Sequence, residues 1–275
     1  MGDAIFVRDG EHTFVPTPFS YGPWGPNAVH GGPPAGLLAY AILEHVADPE
    51  MQLTRLTVDL TRSVPQKPLT TTVETIRQGR RLVSVLARLL ADGQEVSRAS
   101  ALLLRRSDAV VGEDVYPPPP GPEGYEITQG VSRRSGRTIA TQDRERHPAH
   151  RGFHTTVESR WLTGPVDPAP KLWVRIPMPF IEGEETHPAV QAAALSDFGN
   201  AVASHVGSAR HIRGLSYINA DITMVMHRDP VGEWLCLHAD HRDEFAGVGL
   251  VESIWYDTGG RFARVVESRL ANPRG

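Results

Sequence analysis

The sequence predicts an α+β fold made of two like units, each with one long helix wrapped by a curved antiparallel sheet. Three observations predict it. Two apolar, alanine-rich runs of helical period, PPAGLLAYAILEHV and QAAALSDFGNAVASHV, stand far apart in the chain. Each is followed by three strand-like runs bounded by turn signals. Landmarks then recur at nearly constant offsets: 160 residues from His45 to His205, 162 from Asp59 to Asp221 and 166 from Arg98 to Arg264. A drift of a few residues is what altered loop lengths leave in a duplicated frame. A helix laid against a sheet lets each bury its apolar face on the other.

The elements follow in order. HTFVPTPFSYGPW is strand-like and leads to His30-Gly31-Gly32, after which Pro33 and Pro34 suit the first turn of a helix. LTRLTVDLTRSV, LTTTVETIRQG and RLVSVLARLLADGQEVSRASALLL come next, the last folding on itself at Asp92-Gly93. Between Ser107 and Arg151 the apolar periodicity fades into VYPPPPGPEGYE and the charged run QGVSRRSGRTIATQDRERH, which reads as a linker. The expected units are therefore 1–106 and 151–275, joined by 107–150. In the second unit FHTTVESRWLTG and KLWVRIPMPF are expected strands before the helix. LSYINADITMVMH, EWLCLHADHRD and GLVESIWYDTGGRFARVVESRL follow it, the last folding at Thr258-Gly259-Gly260.

Composition excludes several classes. Of 275 residues, 40% are hydrophobic and 22% charged, so a disordered chain is excluded and a globular one expected. The 28 basic and 32 acidic residues offer nucleic acid no basic surface. No apolar run reaches membrane-spanning length and the start MGDAIFVRDG lacks signal-peptide character, so a cytoplasmic protein with no membrane contact is expected. Cys236, the single cysteine, allows no intramolecular disulfide and no multi-cysteine zinc site; between Leu235 and Leu237 it reads as packing. His147, His150 and His154 lie in or beside the linker and are not read as metal ligands. The absence of a G-x-S-x-G elbow, a Walker loop and a dinucleotide fingerprint argues against an α/β serine hydrolase and gives no sign of a cofactor. Sheet edges and apolar faces could pair in a homodimer.

HGGPPAGLLA in the first unit, then LSDFGN, NADITMVMHRDPVGEW, GVGLVESIWYD and FARVVESRL in the second, occur in this order between about Phe14 and Arg274. In that order the chain resembles the double hotdog acyl-CoA thioesterases, in which two fused hotdog units each wrap a helix in a sheet. The resemblance implies hydrolysis of the thioester in acyl-coenzyme A, with Asp197 as the chief catalytic residue. It puts Asn219 where bacterial medium- and long-chain members have a threonine, and Glu267 where they have a glutamine, both holding the attacking water. Both depart from the pattern. Asparagine still donates and accepts, whereas an ionised glutamate only accepts, and a second carboxylate near Asp197 raises one of the two pKa values. The resemblance also places Gly31 and Gly32 across the unit interface from the aspartate.

Chemistry supplies a parallel reading. Thioester hydrolysis needs a base, donors for the developing oxyanion and a channel for the acyl chain. Asp197, inside an apolar helical run, is either that base or, with Ser196, a helix N-cap. Strand alternation puts Asn219, Asp221 and Thr223 on one face and Ile218, Ala220, Ile222 and Met224 on the other, with Asp221 and Thr223 read as solvated. Glu267 falls in register with Ala263 and Val265, which points it inward, an exposed edge position being the alternative. The Gly31 and Gly32 amides are candidate oxyanion donors at a helix start, or only a tight turn. His30 orients the loop or the substrate, or is structural. A hydratase reading drops, because it needs a histidine five residues after the aspartate and Val202 stands there. Non-catalytic acyl-CoA binding is the alternative to hydrolysis, motivated by Asn219 and Glu267.

Overall fold

The computed structural model describes residues 3–23, 27–109, 116–123, 128–129, 152–162, 170–203 and 215–273. The first half gives β1 (Phe6–Arg8), which precedes the expected strands, then β2 (Thr13–Pro16), α1 (Gly32–Val46), β3 (Met51–Asp59), β4 (Leu69–Gln78), β5 (Leu82–Ala91) and β6 (Gln94–Arg105). The second half contributes β7 (Thr128–Gln129), α2 (Phe153–Thr156), β8 (Glu158–Trp161), β9 (Lys171–Arg175), α3 (Pro188–Leu195), a 3-10 turn (Ser196–Phe198) and α4 (Gly199–Ala203). It ends with β10 (Leu215–Asn219), β11 (Asp221–Met226), β12 (Leu235–Phe245), β13 (Val248–Asp257) and β14 (Gly260–Pro273). Most of the expected linker lies outside the described residues, as do His147, His150 and His205.

Every strand pair is antiparallel, and the strands run β1-β2-β4-β5-β6-β3-β11-β14-β13-β12-β9-β8-β7, with β10 beside β14. This is a double hotdog: each half curls its sheet around its own helical segment, and β3 pairs with β11 to join the halves into one ladder. Asp59 and Asp221 face each other in that ladder, as do Thr57 and Thr223. Asp59 and Asp221, 162 residues apart, thus meet at the pseudo-twofold that the sequence offsets imply.

The expected turns form where their chemistry requires them. Asp92 (φ 51°) and Gly93 (φ 76°) close the β5–β6 hairpin, both in the left-handed region that a two-residue turn of this type needs. A second hairpin, β12 to β13 through Ala246 (φ 50°) and Gly247 (φ 81°), was not expected from the sequence, where EWLCLHADHRD ends earlier.

The helical segments depart from the sequence reading in one informative way. α1 is continuous and buried along most of its length, with Gly32 to Ala39 packed inside. The corresponding stretch of the second half is interrupted: α3 stops at Leu195, Ser196 Oγ donates to the Ala193 carbonyl at 2.7 Å, and the chain tightens into the 3-10 turn before α4 resumes. A serine hydroxyl bonding back three residues competes with helix propagation, so the predicted single helix is two. FHTT, read as strand, forms the short α2, and only Glu158–Trp161 of that stretch is extended. Among the described residues no helix is long and apolar enough to cross a membrane.

Candidate active site

The break in the helix puts Asp197 on the tight turn at the junction of the two halves. Its carboxylate is held at both oxygens. Oδ1 accepts from Asn219 Nδ2 at 2.7 Å, and Oδ2 lies 2.9 Å from His30 Nδ1, which comes from the first half. The carboxylate accepts from Asn219 and lies against His30, both on other elements, so Asp197 is not the helix cap that was one reading of Ser196-Asp197. It also rests on the Cα of Gly31: a Cβ there would stand 2.7 Å from Oδ2. Gly32 follows at the first turn of α1, with no room for a side chain against the Ala194 carbonyl, and its N–H points at His30 Nδ1 from 3.2 Å. His30 is boxed by Phe198 and Phe153, with ring centroids 5.1 and 5.4 Å away, and lies parallel to His154 at 6.4 Å.

Asn219 reaches Asp197 by a route the alternation argument did not foresee. β10 pairs with β14 as Asn219↔Arg269, whereas β11 pairs with it as Thr223↔Val266. Three residues, 220 to 222, therefore oppose two, 267 and 268, which is a β-bulge at Ala220. The bulge resets the period, so Asn219 turns inward and is buried, while Asp221 and Thr223 stay on the outer face. The expectation that all three share one face is thus corrected: strict alternation fails wherever an extra residue is inserted.

Glu267 points inward with Val265 and Ala263, as its register implied, and is fully buried against Gly199, whose added Cβ would stand 2.8 Å from a carboxyl oxygen. Among the described residues neither oxygen closes a hydrogen bond of ordinary geometry. Burial, and then the negative charge of Asp197, hold the Glu267 carboxyl well above the usual carboxylate range; the Asn200 backbone N–H and Arg269 oppose the rise, and Asp221 adds to it. The positive charge of Arg269 is engaged elsewhere. Its Nη1 donates to Asn200 Oδ1 at 2.7 Å, its Nη2 donates to Glu244, and its guanidinium lies over the Tyr217 ring at 4.4 Å. Among the described residues Glu267 therefore has no ion-pair partner.

The structure brings His30, Gly31, Gly32, Asp197 and Asn219 into contact and sets Glu267 behind the same turn. Sequence reasoning did not single out Phe198, Gly199 or Arg269, and it set His154 aside with the linker. The inward parity of Arg269, two residues from Glu267, was the one available signal. Cys236 is buried, and burial pushes its thiol up, consistent with a packing role.

A continuous antiparallel ladder around two helical cores defines a hotdog protein, with a polar cluster where its halves meet. Solved structures agree on the fold. An acyl-CoA thioesterase II, TesB2, from Mycobacterium marinum is 18% identical, with 98% of this chain and 96% of that one covered at a TM-score of 0.65. A tesB protein from Mycobacterium avium subspecies paratuberculosis is 17% identical over 98% and 96%, at 0.67. A hot dog fold protein of unknown function from Alicyclobacillus acidocaldarius is 16% identical over 98% and 96%, at 0.67. Residues 20–104 match the acyl-CoA thioesterase N-terminal domain and residues 126–266 the acyl-CoA thioesterase C-terminal domain. The chain belongs to the acyl-CoA thioesterase family and is a thioester hydrolase. Among curated proteins no sequence match was found.

Proposed function

We propose that the protein hydrolyses the thioester of an acyl-CoA with a water molecule activated by Asp197. The observation that carries this reading is the carboxylate held at one oxygen by His30 of the first half and at the other by Asn219 of the second. An ionised carboxylate only accepts, so its 2.9 Å contact with His30 is attractive when the imidazole carries a proton on Nδ1. That nitrogen then cannot accept from Gly32, and the Gly32 N–H is released. At the start of α1, beside Gly31, a released amide suits the negative charge that develops on the thioester oxygen. One proton on His30 thus links the base to the oxyanion donor.

In the reaction, Asp197 takes a proton from water as the water oxygen bonds to the carbonyl carbon. The oxyanion then re-forms the carbonyl, the C–S bond breaks, and the leaving thiolate recovers the proton from Asp197. Asn219 Oδ1 is buried and has no partner among the described residues, which leaves it to accept from the water. In the neutral form that its burial favours, Glu267 supplies the O–H donor that the amide of a glutamine would supply there.

The test is release of free thiol from short-, medium- and long-chain acyl-CoAs by the wild type and by Asp197→Asn. Loss of a base is expected to lower turnover by about a hundredfold or more. Full turnover in the variant overturns the reading.

A further inference from the structure

We propose that Asp221 is a positioning residue for hydrolysis, holding the bulge that turns Asn219 onto Asp197. The inference rests on the role given to Asn219 above and extends it to a residue that, on the sequence alone, belongs to a solvated face. The hydrogen bonds around the bulge assign its task. In a regular antiparallel ladder the Ser268 N–H would be accepted by a backbone carbonyl of the opposing strand. Here Ala220 N–H donates to Ser268 O at 2.8 Å, but the Ala220 carbonyl is turned away and accepts from Leu60 of the first half at 2.9 Å. The Ser268 N–H is accepted instead by Asp221 Oδ1, at 2.8 Å. The side chain of Asp221 thus replaces the acceptor that the bulge withdraws.

The first half provides an internal comparison. Asp59 occupies the position equivalent to Asp221 and faces it across β3 and β11. There the pairing with β6 is regular, Thr57↔Ser100, Val58↔Ala99 and Asp59↔Arg98, and the Asp59 carboxylate forms a surface ion pair with Arg98 at 2.8 Å. Thr57, 162 residues before Asn219, keeps the ordinary parity and faces Thr223 on the outer side, their hydroxyl oxygens 3.3 Å apart. The same frame without the bulge leaves the residue at the Asn219 position pointing out; with it, that residue points in. Asp221 touches no reacting atom and acts through backbone geometry; Asp221→Asn, which removes the charge that Asp221 adds beside Glu267 but keeps the acceptor, separates the two effects.

A mutant cycle tests this. Asp221→Ala is expected to lower kcat by about tenfold while KM stays within about twofold, because the reacting groups shift relative to one another and the acyl-CoA surface does not. Asp221→Asn, which keeps an acceptor oxygen at the same reach, is expected to restore most of the loss. In an Asn219→Ala background, Asp221→Ala is expected to leave kcat unchanged, since nothing remains to be positioned. If Asp221→Ala fails to fold, Asp221→Thr takes its place in the cycle, being compatible with a strand and too short to reach the Ser268 amide. An unchanged kcat in the single variant, or the same fold-loss in both backgrounds, overturns the proposal. Failure of the underlying reading is told apart by Asp197→Asn, which would then retain turnover.

Discussion

Replacing Gly31 by alanine isolates the geometry of the site from the stability of the fold. Gly31 has φ −62° and ψ −30°, ordinary right-handed values, so alanine takes up the backbone without strain. It even gains about 0.4 to 1 kcal/mol through the unfolded state. The new Cβ, however, would stand 2.7 Å from Asp197 Oδ2 and 3.0 Å from its Cγ and Oδ1, where ordinary contact begins at 3.4 Å. The carboxylate must retreat by about 0.7 Å, the difference between that limit and the 2.7 Å contact. A retreat of that size stretches the 2.9 Å contact with His30 to about 3.6 Å, beyond hydrogen-bond length. Misplacing a reacting group by about 1 Å costs roughly a hundredfold in rate. Gly31→Ala is accordingly expected to lower kcat by about tenfold to a hundredfold, or ~1.4 to ~2.7 kcal/mol of barrier, with a midpoint of thermal unfolding that falls little if at all. Thiol release at saturating acyl-CoA and a circular-dichroism melt measure the two quantities. A variant with wild-type kcat would refute the placement of Gly31 against a working carboxylate. A large fall in melting temperature would mean that the residue matters for folding first.

Two further outcomes follow from the buried charges. The folded protein holds the Glu267 proton more tightly than the unfolded chain does, so the stability tied to it is fully present below the unfolded carboxylate value near ~4.3 and is lost as pH rises through the raised folded value. Glu267→Gln removes that loss; its melting temperature should gain on the wild type as pH rises above the unfolded carboxylate value, and its activity should lack the decline due to ionisation of Glu267. Parallel stability profiles would show that Glu267 is not held neutral. Asp257, fully buried, is bound at both oxygens by Arg228 and also accepts from the Val231 and Gly259 amides at 2.7 Å each. Arg228→Ala leaves that charge with its two amide donors alone and should cost about 3 kcal/mol in a urea titration; a change below about 1 kcal/mol would contradict it.

The sequence displays what depends on period and composition, and hides what depends on register between distant strands. The duplicated frame and the Asp92-Gly93 turn could be read because apolar spacing and glycine placement are local properties. Glu267 could be assigned inward for the same reason, since β14 keeps its alternation through that point. Asn219 could not be placed by parity, because the bulge at Ala220 exists only in relation to β14, on the far side of two hairpins. The interruption at Ser196 was hidden by the apolar run around it, whose period continues through the break. Arg269 was overlooked because charged residues on a last strand ordinarily face water, and only the Glu244, Asn200 and Tyr217 side chains around it make its burial tolerable. β1 is three residues long, too short for any periodic signal.

The ladder between β3 and β11 also bears on whether the two halves can be parted. His30 and Gly31 hang from one half and Asp197 and Asn219 from the other, so neither half alone carries both the carboxylate and the amides beside it. The mirrored junction has gone a different way: Thr57 faces outward, and Tyr40 of α1 donates a hydrogen bond to Glu184 of the second half at 2.6 Å, which ties the halves together. One junction thus gathers His30, Asp197 and Asn219 while the other is a structural tie, so a cut between the halves would take the polar cluster apart as well as the ladder.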